Sequence, residues 1–485
     1  MKYISTEISK IELFLERNKE KKVVLVQGLG FVGAVMSIVC ANAIKDEYAV
    51  IGVDLPTKLG IDRINKLNSG EFPIRSSDPK VEEYFQSSVS KGNFFATYSE
   101  FAYSKADVII VDINLDVKKD KLDLTDTAGS YEIDMNSFNK AIDVIARNCK
   151  EDVLLLVETT VPPGTCINFI APAIKNQFEI RGLDFRRIKI GHSYERVMPG
   201  PNYIDSIQNY FRVYSGINVE SADAVEYFLK TIIKTDQYPL TRLQSTTATE
   251  TAKVLENAYR AMNIAFIVEW SRFAENSGVN LYEIVDAIRL RPTHANLMYP
   301  GIGVGGYCLT KDPLLASWAS QNLFMEKLKL SESEKAVKIN DSMPSQAFQY
   351  LKKSFKVELN EKKVLMLGVS YRGNVADTRF SPVEVLYQHL LSEGAVVWLS
   401  DPYVKFWDEI GKSVDSFVDT EKLREADIII FSTYHNEYKS DNFIYENLLK
   451  CGGKLIFDTV GVLSNDKIQK LGSRNNVKVL GRGDI

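Results

Sequence analysis

The run Gly301-Ile302-Gly303-Val304-Gly305-Gly306-Tyr307-Cys308-Leu309-Thr310-Lys311-Asp312 sets one thiol in a glycine-dense loop, with a cation and a carboxylate three and four residues on. A free cysteine is ordinarily a small buried hydrophobe. Here the glycines would let the backbone approach a ligand closely, and the neighbouring charge pair suits a reactive thiolate. Cys40, Cys149, Cys166 and Cys451 sit in ordinary apolar or helical contexts and read as structural.

A second constellation lies near the start. Gly28-Leu29-Gly30-Phe31-Val32-Gly33 follows a strand-like run and opens a helical one, and the next strand ends at Asp54. That is the full context of the dinucleotide fingerprint. The first glycine permits the tight turn, the second lets a pyrophosphate reach the backbone, and the third lets the helix pack on the sheet. Phosphate oxygens then meet free N–H groups at the helix start. Asp54 would accept hydrogen bonds from the adenosine ribose and repel a 2′-phosphate, so the expected cofactor is NAD.

These residues need a scaffold, and the spacing supplies one. Short β-rich runs at Val23–Gln27, Ala49–Asp54, Val108–Asp112 and Val153–Glu158 alternate with helical stretches, which predicts a parallel sheet. The last third repeats the pattern at Val364–Gly368, Val396–Asp401, Asp427–Thr433 and Leu455–Asp458, and even the wording of Ala106–Ile110 returns at Ala426–Ile430. Between them, from about Val219 to Lys338, long helical-period stretches such as Thr247–Asn276 predominate. The expected fold is α/β, with two Rossmann-like parallel-sheet lobes joined by a central helical domain with a long connecting helix. The expected domains are 1–215, 216–340 and 341–485. A long helix between two α/β lobes often supplies a dimer interface. The second lobe's first strand ends in Gly368-Val369-Ser370-Tyr371-Arg372-Gly373, a longer loop carrying a cation, so a second dinucleotide is not expected there. A cleft between packed lobes is the default ligand site.

A chain of 485 residues exceeds a single core. Its net charge of −4 gives no general reason to bind nucleic acid or anionic membrane. Five cysteines, an odd number without CxxC or CxxH spacing, argue against a disulfide framework and a structural zinc site, no metal is expected, and a reducing, cytoplasmic compartment fits. Residues 23–44 are apolar enough to raise a membrane anchor, but the glycines at fixed spacing favour a buried strand, turn and helix, and Glu7, Glu12 and Glu16 precede them.

With these residues on the page, the chain resembles the family of UDP-glucose, UDP-N-acetylhexosamine and GDP-mannose 6-dehydrogenases over essentially its whole length. The matching motifs are GLGFVG at 28–33, ETTVPPGT at 158–165, ERVMPG at 195–200, Lys253 to Asn257, GVGGYCLTKD at 303–312 and DTRFSP at 377–382. The resemblance implies an N-terminal NAD lobe, a central dimerisation region making a homodimer, and a C-terminal nucleotide-sugar lobe. It also implies four-electron oxidation of a sugar hydroxymethyl group to a carboxylate, for surface polysaccharide precursors. Cys308 resembles the nucleophile that captures the intermediate aldehyde, since an aldehyde has no hydride to lose until a nucleophile adds; a thiohemiacetal then a thioester follow. Lys253 resembles the lysine that stabilises the oxyanions, with Asn257 a second donor one helical turn on. Glu195 is similar to the glutamate of the hydrolysis half, and Thr160 and Asp312 to residues that hold a water. Thr160, Arg63 and Arg379 are similar to residues near the cofactor. Arg196, Gly303, Gly305, Gly306, Tyr307 and Arg372 are expected at the UDP-sugar, together with Glu195, Lys253 and Asn257.

Two departures stand out. Where many members have a VPTP-like turn, this chain reads Val111-Asp112-Ile113-Asn114-Leu115-Asp116, and the arginine contributed across a subunit interface has Arg289, Arg291 and His294 as alternative counterparts. Pro199 in ERVMPG matches the UDP-N-acetylhexosamine branch, acting on UDP-GlcNAc or UDP-ManNAc, whereas LTKD at 309–312 leans toward UDP-glucose. The alternatives are a UDP-glucose 6-dehydrogenase, a two-electron hydroxyacid-type dehydrogenase, and a non-catalytic NAD-binding protein; neither of the last two needs Cys308.

Overall fold

The computed structural model describes residues 2–74, 76–119, 131–197 and 199–485. The chain forms two compact units. One comprises residues 1–118, 131–255 and 315–329, and the other 119–130, 256–314 and 330–485. The division falls inside the helix Thr246–Ser277.

The first unit is built on an eight-stranded sheet. Its order is Thr241–Arg242, Val213–Gly216, Lys189–His192, Leu154–Val157, Val108–Val111, Lys22–Gln27, Tyr48–Val53, Phe94–Thr97. The central strands Lys22–Gln27, Tyr48–Val53, Val108–Val111 and Leu154–Val157 read as near-continuous apolar runs because both faces are covered. One face meets Ile11, Phe14, Phe138, Ile142 and Phe178; the other meets Met36, Val39, Phe85, Val225 and Phe228. The four strands expected here are present, and four more join them. Val213–Gly216 runs antiparallel to Lys189–His192, in a sheet otherwise paired in parallel. The first strand lies between Tyr48–Val53 and Val108–Val111, so strand order reverses beside Gly28, which is where open α/β sheets place ligands.

The apolar stretch 23–44 resolves into the strand Lys22–Gln27 and the helix Gly33–Ala41, whose nine residues are all buried. Among the described residues, no helix is long and apolar enough to cross a membrane. The helix Lys2–Arg17 precedes the sheet, with Phe14 stacked on Phe95 at 5.7 Å.

The second unit carries a five-stranded parallel sheet ordered Val396–Ser400, Lys363–Leu367, Ile428–Phe431, Leu455–Asp458, Asn476–Val479. The fifth strand was not legible in the alternation. In the same unit the helices Leu281–Arg289 and Ser331–Phe355 accompany the remainder of the long helix. The chain end returns to them, with the Leu281 amide donating to the Gly481 carbonyl at 3.1 Å and the Gly483 amide to that of Val279 at 3.0 Å.

Candidate active site

In the first unit, the three glycines of the 28–33 loop meet three different surroundings. Gly28 has φ +96°, and a Cβ there would stand 2.3 Å from the Asp112 carbonyl oxygen. At Gly33 it would stand 1.8 Å from the Gly28 oxygen, so this glycine packs the helix start onto the turn. At Gly30 it would meet nothing within 4 Å. Gly30 therefore faces the open space that a cofactor phosphate needs, beside a helix N-terminus that favours anions. Leu29 is buried, and Phe31 and Val32 are half-buried.

Asp54 directly follows the second strand, Tyr48–Val53. One of its oxygens accepts the Leu55 amide at 2.8 Å, and the other accepts Arg63 Nη1 at 3.2 Å. Arg63 rides on the helix Lys58–Ser69, started by Thr57, whose hydroxyl accepts the Gly60 amide. The two residues expected near the adenosine half are therefore an ion pair.

Deeper along the same sheet edge lies a polar cluster missing from the expected site residues. Glu158 and Arg212 are ion-paired with both side chains fully buried. Burial pushes the Glu158 carboxyl up to about 7 even though Arg212 pulls it down. Asp112 is half-buried, with its Oδ2 buried and unpartnered among the described residues, and desolvation together with the Glu158 and Glu195 carboxylates raises it well above the usual carboxylate range. His192 is held neutral, lowered to about 3 by burial, with Nδ1 at 2.8 Å from Thr249 Oγ1.

Glu195 is half-buried. Its carboxylate accepts the Val197 amide, and its carbonyl accepts Lys253 Nζ at 3.0 Å. Lys253 lies over the Tyr194 ring. On the same helix, Glu250 accepts the amides of Gly164 and Cys166, fastening the helix start to the ETTVPPGT turn, in which Thr160 is half-buried. Arg196 donates to the Phe211 carbonyl at 2.7 Å and to the Tyr194 hydroxyl at 3.2 Å, so these contacts hold it to the protein. Met198, inside the ERVMPG motif, lies outside the described residues.

In the second unit, Cys308 is exposed and its carbonyl accepts the amides of Lys311 and Asp312. Asp312 is fully buried and uses both oxygens: Oδ1 accepts Lys311 Nζ at 2.7 Å and Oδ2 accepts Asn257 Nδ2 at 2.7 Å. Lys311 lies 4.4 Å from the centre of the Tyr307 ring. The loop glycines were expected to bring backbone near a ligand. On the side where each lacks a Cβ they meet protein: Gly303 faces Pro382 at 2.7 Å, Gly305 faces Tyr371 at 2.4 Å, and Gly306 faces the Tyr371 ring at 2.8 Å. The Gly306 amide also donates to the Arg379 carbonyl at 3.0 Å, so this loop is seated on the DTRFSP segment. Arg379 itself forms a two-pronged pair with Asp377, and Arg372 is exposed. Of the alternatives for the cross-subunit arginine, Arg289 donates to the Ala295 carbonyl and covers the Tyr299 ring, whereas Arg291 and His294 are exposed. Among the described residues, no group of three His, Cys, Asp or Glu side chains could hold a metal.

Comparison with known proteins matches three consecutive segments to one family. Residues 22–233 match the NAD binding domain of the UDP-glucose/GDP-mannose dehydrogenase family, 247–342 its central domain, and 365–465 its UDP binding domain. A UDP-N-acetyl-D-mannosamine dehydrogenase of Methanocaldococcus jannaschii is 30% identical over 473 residues, covering 97% of this chain and 99% of that protein. Among solved structures, the UDP-D-ManNAc dehydrogenase of Pyrococcus horikoshii is similar with TM-score 0.78 and 26% identity, covering 96% of this chain and all of that one. The NDP-N-acetyl-D-galactosaminuronic acid dehydrogenase of Methanosarcina mazei gives TM-score 0.75 at 26% identity, covering 98% of each chain.

Proposed function

The chain belongs to the UDP-glucose/GDP-mannose dehydrogenase family, and from that premise we propose that it oxidises the C6 hydroxymethyl of a UDP-N-acetylhexosamine, UDP-N-acetylmannosamine foremost, to the uronic acid. It is an NAD-dependent oxidoreductase of the nucleotide-sugar dehydrogenase type. The observation that carries the covalent part of the reading is Cys308. It is the one exposed thiol of the five, on a loop braced by the Lys311–Asp312–Asn257 cluster.

NAD, when bound, would supply the hydride acceptor, one NAD for each of the two oxidations in succession. The Gly28–Gly33 loop would hold its pyrophosphate and Asp54, steadied by Arg63, its ribose. Lys253 and Asn257 stabilise the oxyanions of the alcohol and of the tetrahedral species. The Cys308 thiolate adds to the aldehyde carbonyl, and the thiohemiacetal so formed can lose its hydride and become a thioester. Glu195 takes the proton of the attacking water, which Thr160 and Asp312 help to hold; the C–S bond then breaks and the thiolate is regenerated. Arg196, Gly303, Gly305, Gly306, Tyr307 and Arg372 line or support the UDP-sugar, and Arg379 stands by the cofactor. In this reading, residues 1–215 take NAD, 216–340 carry the catalytic helix and 341–485 take the nucleotide sugar.

A second copy of the chain completes the assembly. The long helix leaves Tyr259, Met262, Phe266, Trp270 and Phe273 exposed at helical spacing, an apolar stripe suited to an isologous contact. Arg291 is the preferred cross-subunit cation, because Arg289 is engaged locally. The uronic acid product serves surface polysaccharide synthesis in the cytoplasm, in keeping with cysteines that form no disulfide framework.

The test is turnover of limiting UDP-N-acetylmannosamine with excess NAD, beside UDP-GlcNAc, UDP-glucose, UDP-galactose and GDP-mannose. About two NADH per sugar and a uronic acid are expected from the electron count. One NADH with an aldehyde product overturns the mechanism, and a clear preference for UDP-glucose moves the substrate to the other branch.

A further inference from the structure

The sheet edge of the first unit brings four polar residues to one level, three of them buried and Asp112 half-buried. Val111, Val157 and His192 are lateral neighbours on parallel strands, so the residues that follow them, Asp112, Glu158 and Ser193, emerge side by side. The strand Val213–Gly216 runs the other way, pairing Ser215 with His192, so the residue that leads into it, Arg212, arrives at that same edge. Its Nη2 donates both to the Glu158 carboxylate and to the Ser193 carbonyl, the latter at 3.3 Å. Arg212 is 1% exposed and Glu158 1%, so the pair is closed off from solvent.

Glu158 stands two residues before Thr160, and Ser193 two residues before Glu195. One buried guanidinium therefore ties together the segments that carry two of the groups assigned to the hydrolysis half. Stability is a poor reason for such a pair, because buried ion pairs can often be exchanged for apolar residues at no cost. Arg212 Nε and Nη1 find no partner among the described residues, a further desolvation cost.

We infer that the Glu158–Arg212 pair is a positioning element for thioester hydrolysis, fixing the Ser193–Glu195 backbone against the Thr160 turn. The inference rests on the reading of Glu195 and Thr160 given above. Lys253 supports the same geometry from the helix side by holding the Glu195 carbonyl. The charges around the pair are the carboxyls of Asp112 and Glu195 and the cation of Lys253, with His192 neutral.

The test compares Arg212→Met, Arg212→Lys and the apolar double variant Glu158→Leu/Arg212→Met with the wild type and with Glu195→Gln, using UDP-N-acetylmannosamine and NAD. The double variant removes the unpaired charge and is expected to fold. Its first-turnover NADH formation and its KM should stay within about threefold of wild type while steady-state kcat falls at least about thirtyfold and a sugar adduct accumulates on Cys308 by intact-protein mass spectrometry. Arg212→Lys, which keeps a cation, should recover roughly tenfold of the kcat lost in Arg212→Met. A double variant that turns over like wild type, while Glu195→Gln accumulates the adduct, overturns the inference alone. No adduct in either overturns the reading of Glu195 and the inference with it. If the double variant does not fold, the isosteric Glu158→Gln is read in the same assay, where an unchanged kcat also overturns the inference.

Discussion

Asp312 and Asn257 are joined by a 2.7 Å hydrogen bond from the asparagine amide to Oδ2, while the other oxygen of Asp312 holds Lys311. The cysteine loop and the long helix thus meet at one buried carboxylate. Asp312→Asn leaves Lys311, 5% exposed, without its counter-charge. Breaking a buried pair from one side costs about 3–5 kcal/mol, and kcat should fall roughly a hundredfold because the amide's single acceptor oxygen cannot hold both Lys311 and Asn257. Denaturant midpoints and NADH production measure the two effects; a kcat within threefold of wild type would refute the second.

Cofactor choice turns on the Asp54–Arg63 pair. NAD should be used at least about tenfold more efficiently than NADP, a gap of roughly 1.4 kcal/mol. Because Arg63 is held by Asp54 at 3.2 Å, Asp54→Ala releases a cation toward the ribose site. NADP efficiency should then rise and NAD efficiency fall, seen as a change in the kcat/KM ratio. An unchanged ratio removes Asp54 from the ribose site.

Gly30 and Gly33 should fail differently when given a methyl group. Gly33→Ala forces a Cβ onto the Gly28 oxygen and should lower stability by about 1–3 kcal/mol or more. Gly30→Ala meets no protein atom, so it should melt near wild type while KM for NAD rises at least about tenfold. Thermal melts and NAD titrations of the two proteins separate packing from cofactor approach, and equal destabilisation of both would contradict the assignment.

Asp112 gives a pH dependence with a definite sign. Burial first, then the neighbouring carboxylates of Glu158 and Glu195, raise its folded-state pKa above the unfolded value. The folded chain therefore binds more protons at this site, and Asp112 subtracts stability as pH climbs above about 3.9 toward the raised value. Asp112→Asn mimics the protonated form, so its Tm gain over wild type should be larger at pH 8 than at pH 5. A gain that does not change with pH counts against the shift.

What the residues determined by themselves is the local chemistry. The strand, turn and helix around Gly28–Gly33 were legible because each glycine role is a short-range steric demand, and the alternating lobes were legible because strands covered on both faces must be apolar throughout. The short strand Phe94–Thr97 and the mixed Lys189–His192 carry too weak an apolar signal to be read that way. Tertiary structure alone decided which distant groups meet. Arg212 and Glu158 are 54 residues apart in sequence and pair because the strand Val213–Gly216 runs antiparallel to Lys189–His192. That Gly303, Gly305 and Gly306 also make room for Tyr371 and Pro382 was not legible, because the chain brings those residues back only after another sixty residues or more. A single residue's conformational limits are written in its type, whereas the partner of a buried charge is set by strand order and register, to which every element of the sheet contributes.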